Sequence, residues 1–392
     1  MNKTELDAVI ILSYAFRPLF LLVVIQALIQ IPLWYLIWNN HLAIDWQFNP
    51  VYWHGHEMLA GFAGAAIAGF LLTAVANWTG REPVSGWPLA VLCLVWLLAR
   101  LGFSLPLTAA LAGIAYWLIL LLLMAREVLS SRNRRNYKIL LVILIFLLLE
   151  SGFQWSLLNQ SIATRQFLWA QLWLFVLMIN LIGGRIIPAF TRNWLRRTSP
   201  SISEQQLPAS FAMTDIVATV ALAAFALATL FPVDKLLLFA LGLFTSLMQL
   251  WRLSRWQGIQ TFNDPLVWML HLAYGWIPLG ILIFSFSQLG RLPVSAGIHA
   301  LAIGTVASMI VSVASRAALG HTNRPLVAHP LLVTCIVLLS LAALFRVAAA
   351  ISSAPIFMTA ATLFWTTGFI CFAVPYLSIL LLPVPEDQTH RQ

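Results

Sequence analysis

Charge is what this sequence has least of. Asp, Glu, Lys and Arg make up 9% of its 392 residues, against 61% hydrophobic ones. A soluble globular chain carries roughly 25% charged residues. Such a surface cannot be kept in water, so lipid must be the solvent over most of the length. Cysteine is scarce as well: Cys93, Cys335 and Cys371 each lie inside an apolar run. None belongs to a CxxC or CxxCH pattern, so no thiolate metal site or covalent haem attachment is suggested. They read as small hydrophobes in helices. Long polar stretches are missing too, and the longest connection, Thr191 to Phe211, leaves no place for a soluble domain. Acids are fewer than bases, 13 against 22, for a net charge of +9. In a membrane chain that excess belongs to cytoplasmic loops rather than to a nucleic-acid partner. The start, MNKTELDAVI, has no small-residue cleavage site and is expected to lead into an uncleaved first helix.

What is abundant agrees with this. The 17 Trp and 24 Phe suit a chain whose aromatic side chains gather at two bilayer interfaces. About 20 apolar residues cross the hydrocarbon core as a helix. Candidate spans fall near 12–37, 54–78, 87–104, 107–125, 138–158, 167–188, 212–231, 236–251, 266–287, 296–316, 326–347 and 356–382. Phe103 to Pro106 leaves a very short turn between the third and fourth. The predicted fold is therefore all-α: one polytopic transmembrane domain of about 12 helices. Arg126, Arg132, Arg134, Arg135 and Lys138 share one connection, Arg192, Arg196 and Arg197 another, and Arg252 and Arg255 a third. The alternate connections hold little beyond Arg165, Lys235 and Arg291. Basic loops stay inside, which places both termini and the 191–211 loop in the cytoplasm.

The strongest local signal is Trp53-His54-Gly55-His56-Glu57-Met58, at the external start of the second span. Imidazole is the commonest protein ligand for haem iron and copper. On a helix, residues two apart point about 200° away from each other. His54 and His56 share one metal only if the helix starts between them. Otherwise one takes a cofactor and the other a second metal or a hydrogen-bond partner. Glu57 is placed to orient His56. The ordinary alternative is a set of interfacial polar residues capping a helix. The run from Ala60 to Gly69 is rich in small residues, which admit a neighbouring helix or leave room for a flat macrocycle.

Ionisable groups at membrane depth are costly and point to function by default. His271 lies in the ninth span, with Tyr274 three residues on. His299 lies near the external start of the tenth, His321 follows its other end, and His329 opens the eleventh. From His299 to Arg316 a helix covers about 25 Å. His54, His56 and His299 are thus external, and His271, His321 and His329 lie on the cytoplasmic side. Two depth classes are enough for two centres. For His321 and His329 an ordinary interfacial place is the alternative. Arg17, Arg185 and Arg316 lie close to cytoplasmic helix ends, as snorkelling anchors or as partners for haem propionates or another anionic ligand. Arg100 and Arg346 read as external anchors.

These stretches resemble the NnrS family, bacterial membrane proteins linked to nitric oxide metabolism and described as containing haem and copper. The matching residues are Arg17-Pro-Leu-Phe20, Trp53 to Phe62, Gly69 to Gly80, Gly184-Arg-Ile-Ile-Pro188, Leu270-His271 with Tyr274 to Pro278, and His299-Ala-Leu with Arg316 and Leu319-Gly-His-Thr322. They run over most of the chain in the family's order. Ala60 departs from the pattern, where a bulkier residue is expected, which bears on packing. The resemblance implies non-covalent b-type haem and copper, with His54, His56, His271, His299 and His321 as ligand candidates. Glu57 and Tyr274 stand behind them, and Arg17, Arg185 and Arg316 beside the haem. His329 falls in no matching motif.

Three functions fit such a chain. The first is a haem–copper protein of the bacterial inner membrane, in nitric oxide metabolism or nitrosative-stress defence. Turnover on nitric oxide or a related nitrogen species would draw electrons from quinol or a small donor protein. The second is a secondary transporter, since twelve helices with both ends inside is a common transporter shape. Pro278 and Gly280 hint at the broken helix it would want. The third is a sensor that binds haem or iron–nitrosyl species without turnover. Membrane lipids surround all three.

Overall fold

The computed structural model describes residues 10–383 except 46, 102–104, 133, 200, 209–210 and 353. Both expected cytoplasmic ends, and residues 103 and 104 of the expected tight turn, lie outside the described residues. Every regular element among the described residues is helical. In chain order the main helices are α1 (Phe16–Trp38), α2 (Pro50–Thr79), α3 (Trp87–Ala99), α4 (Pro106–Ser130), α5 (Tyr137–Leu158), α6 (Thr164–Thr198), α7 (Met213–Ala228), α8 (Lys235–Ser254), α9 (Pro265–Gln288), α10 (Val294–His321), α11 (Pro330–Ile351) and α12 (Pro355–Leu381). Ten are long and apolar enough to cross a membrane. The others, α3 and α7, have 13 and 16 residues. At 1.5 Å per residue they reach about 20 and 24 Å, short of a hydrocarbon core of roughly 30 Å.

Proline sets many of the starts. Pro50, Pro106, Pro265, Pro330 and Pro355 each open a helix, where the missing N–H costs nothing and φ is already helical. Asn49, Asp264 and His329 cap three of these through side-chain acceptors. Several boundaries shift by a few residues from the sequence reading, and α6 and α9 depart from it further. α6 runs to Thr198, so the first part of the expected 191–211 loop is helix. Trp194, Leu195, Arg196 and Arg197 continue the turn, because long arginines project to water without breaking helical bonds. α9 stays helical through Pro278 and Gly280, so the break expected there is not found.

Irregularity sits elsewhere. α2 widens to a π-helix over Glu57–Ala63, and α10 does so over Ala300–Ala307. Each widened stretch starts immediately after a histidine, His56 or His299. π segments often mark functional places in helices. In lipid, the loosened carbonyls need donors. Trp96 Nε1 donates to Gly61 O at 3.0 Å, and Tyr116 OH donates to Gly64 O at 3.0 Å.

The chain falls into two compact units. Unit 1 takes residues 1–171, 314–325 and 373–392, and unit 2 takes 172–313 and 326–372. The core of unit 1 includes Phe16, Phe62, Trp96, Tyr116 and Trp117, with Trp117 stacked on Phe146 at 4.6 Å. In unit 2, Trp173, Phe225 and Phe284 meet edge to face.

Candidate functional site

In unit 1 the start of α2 meets α5. Pro50 begins the helix ahead of both histidines, so His54 and His56 face different neighbours. The His54 ring stacks on Trp34 at 4.5 Å, and the His56 ring on Phe153 at 4.8 Å. His56 lies between two carboxylates: Nε2 is 2.8 Å from Glu150 Oε1, and Nδ1 is 3.4 Å from Glu57 Oε1. Glu150 is fully buried. Gln154 Nε2 donates to it at 2.7 Å, and Gln171 Nε2 at 3.5 Å. A Cβ at Gly113 would stand 2.6 Å from Glu150 Oε1, so glycine there is what admits the acid. Gln26 Nε2 donates to Glu57 Oε2 at 3.0 Å, and Arg100 Nε lies 3.2 Å from that oxygen. Arg100 is therefore an interior partner of Glu57 and not the external anchor expected. Its guanidinium lies over the Trp96 ring. Beside the cluster, His56, Glu57, Gln154, Trp53, Phe153 and Leu157 border a cavity of about 20 Å³, room for about one water.

Unit 2 holds a second buried polar group. Arg252 Nε donates to Asp215 Oδ1 at 2.8 Å, and its Nη1 donates to Asn180 Oδ1 at 2.9 Å and Tyr274 OH at 3.0 Å. Tyr274 OH donates to Gln249 Oε1 at 2.7 Å. Gly184 leaves the space that the Arg252 guanidinium fills. Arg252 was legible only as a loop charge, while Arg185, next to Gly184 in its motif, is exposed on α6. One turn before Tyr274, His271 Nε2 lies 2.8 Å from Thr191 Oγ1.

The other expected residues are placed separately. Arg17 Nη1 donates to the carbonyls of Ile379, Leu380 and Leu382, at 3.3, 2.9 and 3.0 Å. His299 Nδ1 donates to Ser295 O at 2.7 Å. The His321 ring packs with Tyr14 and Phe16. Arg316 is half-buried. His329 is exposed, and its Nδ1 accepts from Leu331 N at the start of α11. That capping bond is a full account of it.

Ring nitrogens decide whether haem and copper fit. At His56 both nitrogens face carboxylates. At His271 the geometry differs. Thr191 Oγ1 gives its one proton to Ile187 O at 2.9 Å, so it must accept from His271 Nε2–H. The ring's lone pair is then on Nδ1, which is buried with no hydrogen-bond partner. Ligating histidines are held in this way, by a bond from the other nitrogen. Nδ1 faces Gly258, where a Cβ would stand only 2.6 Å away. His271 would be the residue to hold a haem iron, through Nδ1, were the Gly258–Thr261 turn to move aside. His299, by donating Nδ1–H, keeps its lone pair on Nε2. Copper is another matter: no three His, Cys, Asp or Glu gather to hold a metal ion among the described residues. The donor set as arranged does not fit copper.

A protein-family model described as "NnrS protein" matches residues 10–383. A comparison with curated proteins finds no match.

Proposed function

Because the chain belongs to the NnrS family, we propose that this nitric oxide-related, multi-pass membrane protein holds a b-type haem through histidine, with His271 the first candidate to hold it. The reading places it in the bacterial inner membrane, in nitric oxide metabolism or nitrosative-stress defence. The observation that carries it is the His271 Nδ1 lone pair, buried and without a hydrogen-bond partner.

Haem supplies, when bound, an iron at which nitric oxide binds. The chain's own residues do the rest. Thr191 holds the imidazole in one tautomer and one orientation. Gly258 keeps side-chain atoms away from the lone pair. Asn180, Gln249 and Arg252 fix the Tyr274 hydroxyl one turn further into the helix. In unit 1, Glu57 and Glu150 orient the His56 ring beside a water-sized cavity. Turnover takes electrons as well, from quinol or a small donor protein. Copper is left out of this reading, since no three His, Cys, Asp or Glu gather among the described residues.

The test is an absorption spectrum of the purified protein with metal analysis. Protein from haem-replete cells is expected to show a Soret band that shifts on adding nitric oxide. His271→Ala is expected to lose the band, and His329→Ala to keep it. A colourless, iron-free preparation sinks the proposal. An unchanged band in His271→Ala moves the ligand to another histidine, with His299 next.

A further inference from the structure

Unit 2 carries a second concave site that the haem reading does not use. It opens among the helix ends that bear Arg192, Arg196, Arg197 and Arg255, as a cavity of about 580 Å³. That size suits a small organic ligand or headgroup. Arg192, Glu204, Gln205, Ser254, Arg255 and Gln257 line it. Arg192 gives one N–H to Pro208 O at 2.7 Å, and a guanidinium has further donors in the same plane. Arg255 is steadied by Asp215 at 3.2 Å and by Thr214. Glu204 is paired with Arg196, so the wall keeps a positive balance.

Two further observations point to an occupant. Gln257 holds a left-handed backbone, φ 55°, and its Oε1 is buried with no hydrogen-bond partner. Non-glycine residues persist there only when their surroundings impose it. An acceptor without a donor then lies just behind the wall of an arginine-lined cavity. On the neighbouring segments, Phe211, Met213, Ile259 and Phe262 are 66, 70, 92 and 78% exposed. Bare apolar side chains at helix ends suit the boundary between headgroups and acyl chains.

We propose that this cavity binds a phosphate that carries a hydrogen-bond donor beside it, as a glycerophospholipid headgroup does. The arginine forks match phosphate oxygens. A turn of the Gln257 side chain brings Oε1 to the hydroxyl or ammonium at the end of the headgroup. Basic pockets between membrane helices recognise anionic lipids in this way. A soluble phosphate ester offers the same chemistry, and the exposed apolar rim favours the lipid. The proposal stands apart from the haem reading, though Gln257 adjoins the turn that covers His271.

Native mass spectrometry of the full chain in detergent tests it, with phosphatidylglycerol and glycerol 3-phosphate as separate probes. The unmodified protein is expected to retain phosphatidylglycerol. Arg192→Gln should retain about fivefold less, the factor equivalent to about 1 kcal/mol per basic residue at an anionic surface. Arg291→Gln, on an alternate connection, should match the unmodified protein. Arg192-dependent binding of phosphatidylglycerol alone assigns a lipid. Arg192-dependent binding of glycerol 3-phosphate at millimolar concentration assigns a soluble ester at the same site. If neither probe depends on Arg192, the proposal is wrong. Gln257→Glu is the second variant, should Arg192→Gln fail to fold. It sets a carboxylate against the phosphate and must lower retention similarly, and unchanged retention overturns the proposal.

Discussion

Arg17 holds three carbonyls at the end of α12 in unit 1. The last carbonyls of a helix have no partner within it, and a cation there also meets the negative end of the dipole. Arg17→Gln should therefore cost about 1.5–3 kcal/mol for its charge-assisted bonds, read as thermal unfolding in detergent, with haem content unchanged. Haem loss at unaltered stability would return Arg17 to the propionate role. Glu150→Ala should cost about 3–5 kcal/mol, because it strands His56 in a buried site. Glu150→Gln should cost less, since it keeps a hydrogen-bonding oxygen. Gly258→Ala places a methyl against His271 Nδ1, and haem retention should fall while helical content stays. Equal haem in both proteins would count against His271 as ligand. The histidines were legible because imidazole is rare in apolar spans. Glu150 carried a comparable signal, an acid inside the fifth span, yet its contact with His56 spans 94 positions. Only packing brings such a pair together. Arg100 misled for the same reason: its position next to a loop says nothing of Glu57 behind it.

At the scale of elements, five helix starts could be read locally, from Pro50, Pro106, Pro265, Pro330 and Pro355 at the first position, with Asn49 or Asp264 before two of them. The π segments could not. Ala, Gly and other small residues fill both stretches, and such a run is equally suited to an ordinary close-packed helix. What holds the widened form comes from other helices. Trp96→Phe removes the donor to Gly61 O and should cost about 1–3 kcal/mol, the price of one buried carbonyl left unpaired. Hydrogen exchange should quicken within 57–63 and not in α5. Uniform quickening would mean that Trp96 serves general packing instead. Gly304→Ala sets a methyl 2.3 Å from Trp276 Cδ2, and overpacking of that kind costs about 1–3 kcal/mol.

Over the whole molecule, the uneven spread of Lys and Arg is the property that orders the chain in a bilayer. Cysteines introduced one at a time at Arg135 and at Arg291 should react with an impermeant maleimide from opposite sides of the membrane, Arg135 from the cytoplasm. Labelling of both from one side would reverse or break the topology. Composition made the membrane class legible, but neither the division into two units nor the short reach of α3 and α7 shows in hydropathy. Both units also carry a histidine followed at once by a widened turn, and this has a genealogical consequence. A π turn is what one additional residue leaves in an α-helix whose two ends are both pinned. Kin one residue shorter within 57–63 or 300–307 would be regular helices there, aligned with a single-residue gap. Removing that residue would turn the face bearing His56 or His299 by about 100° against the remainder of its helix.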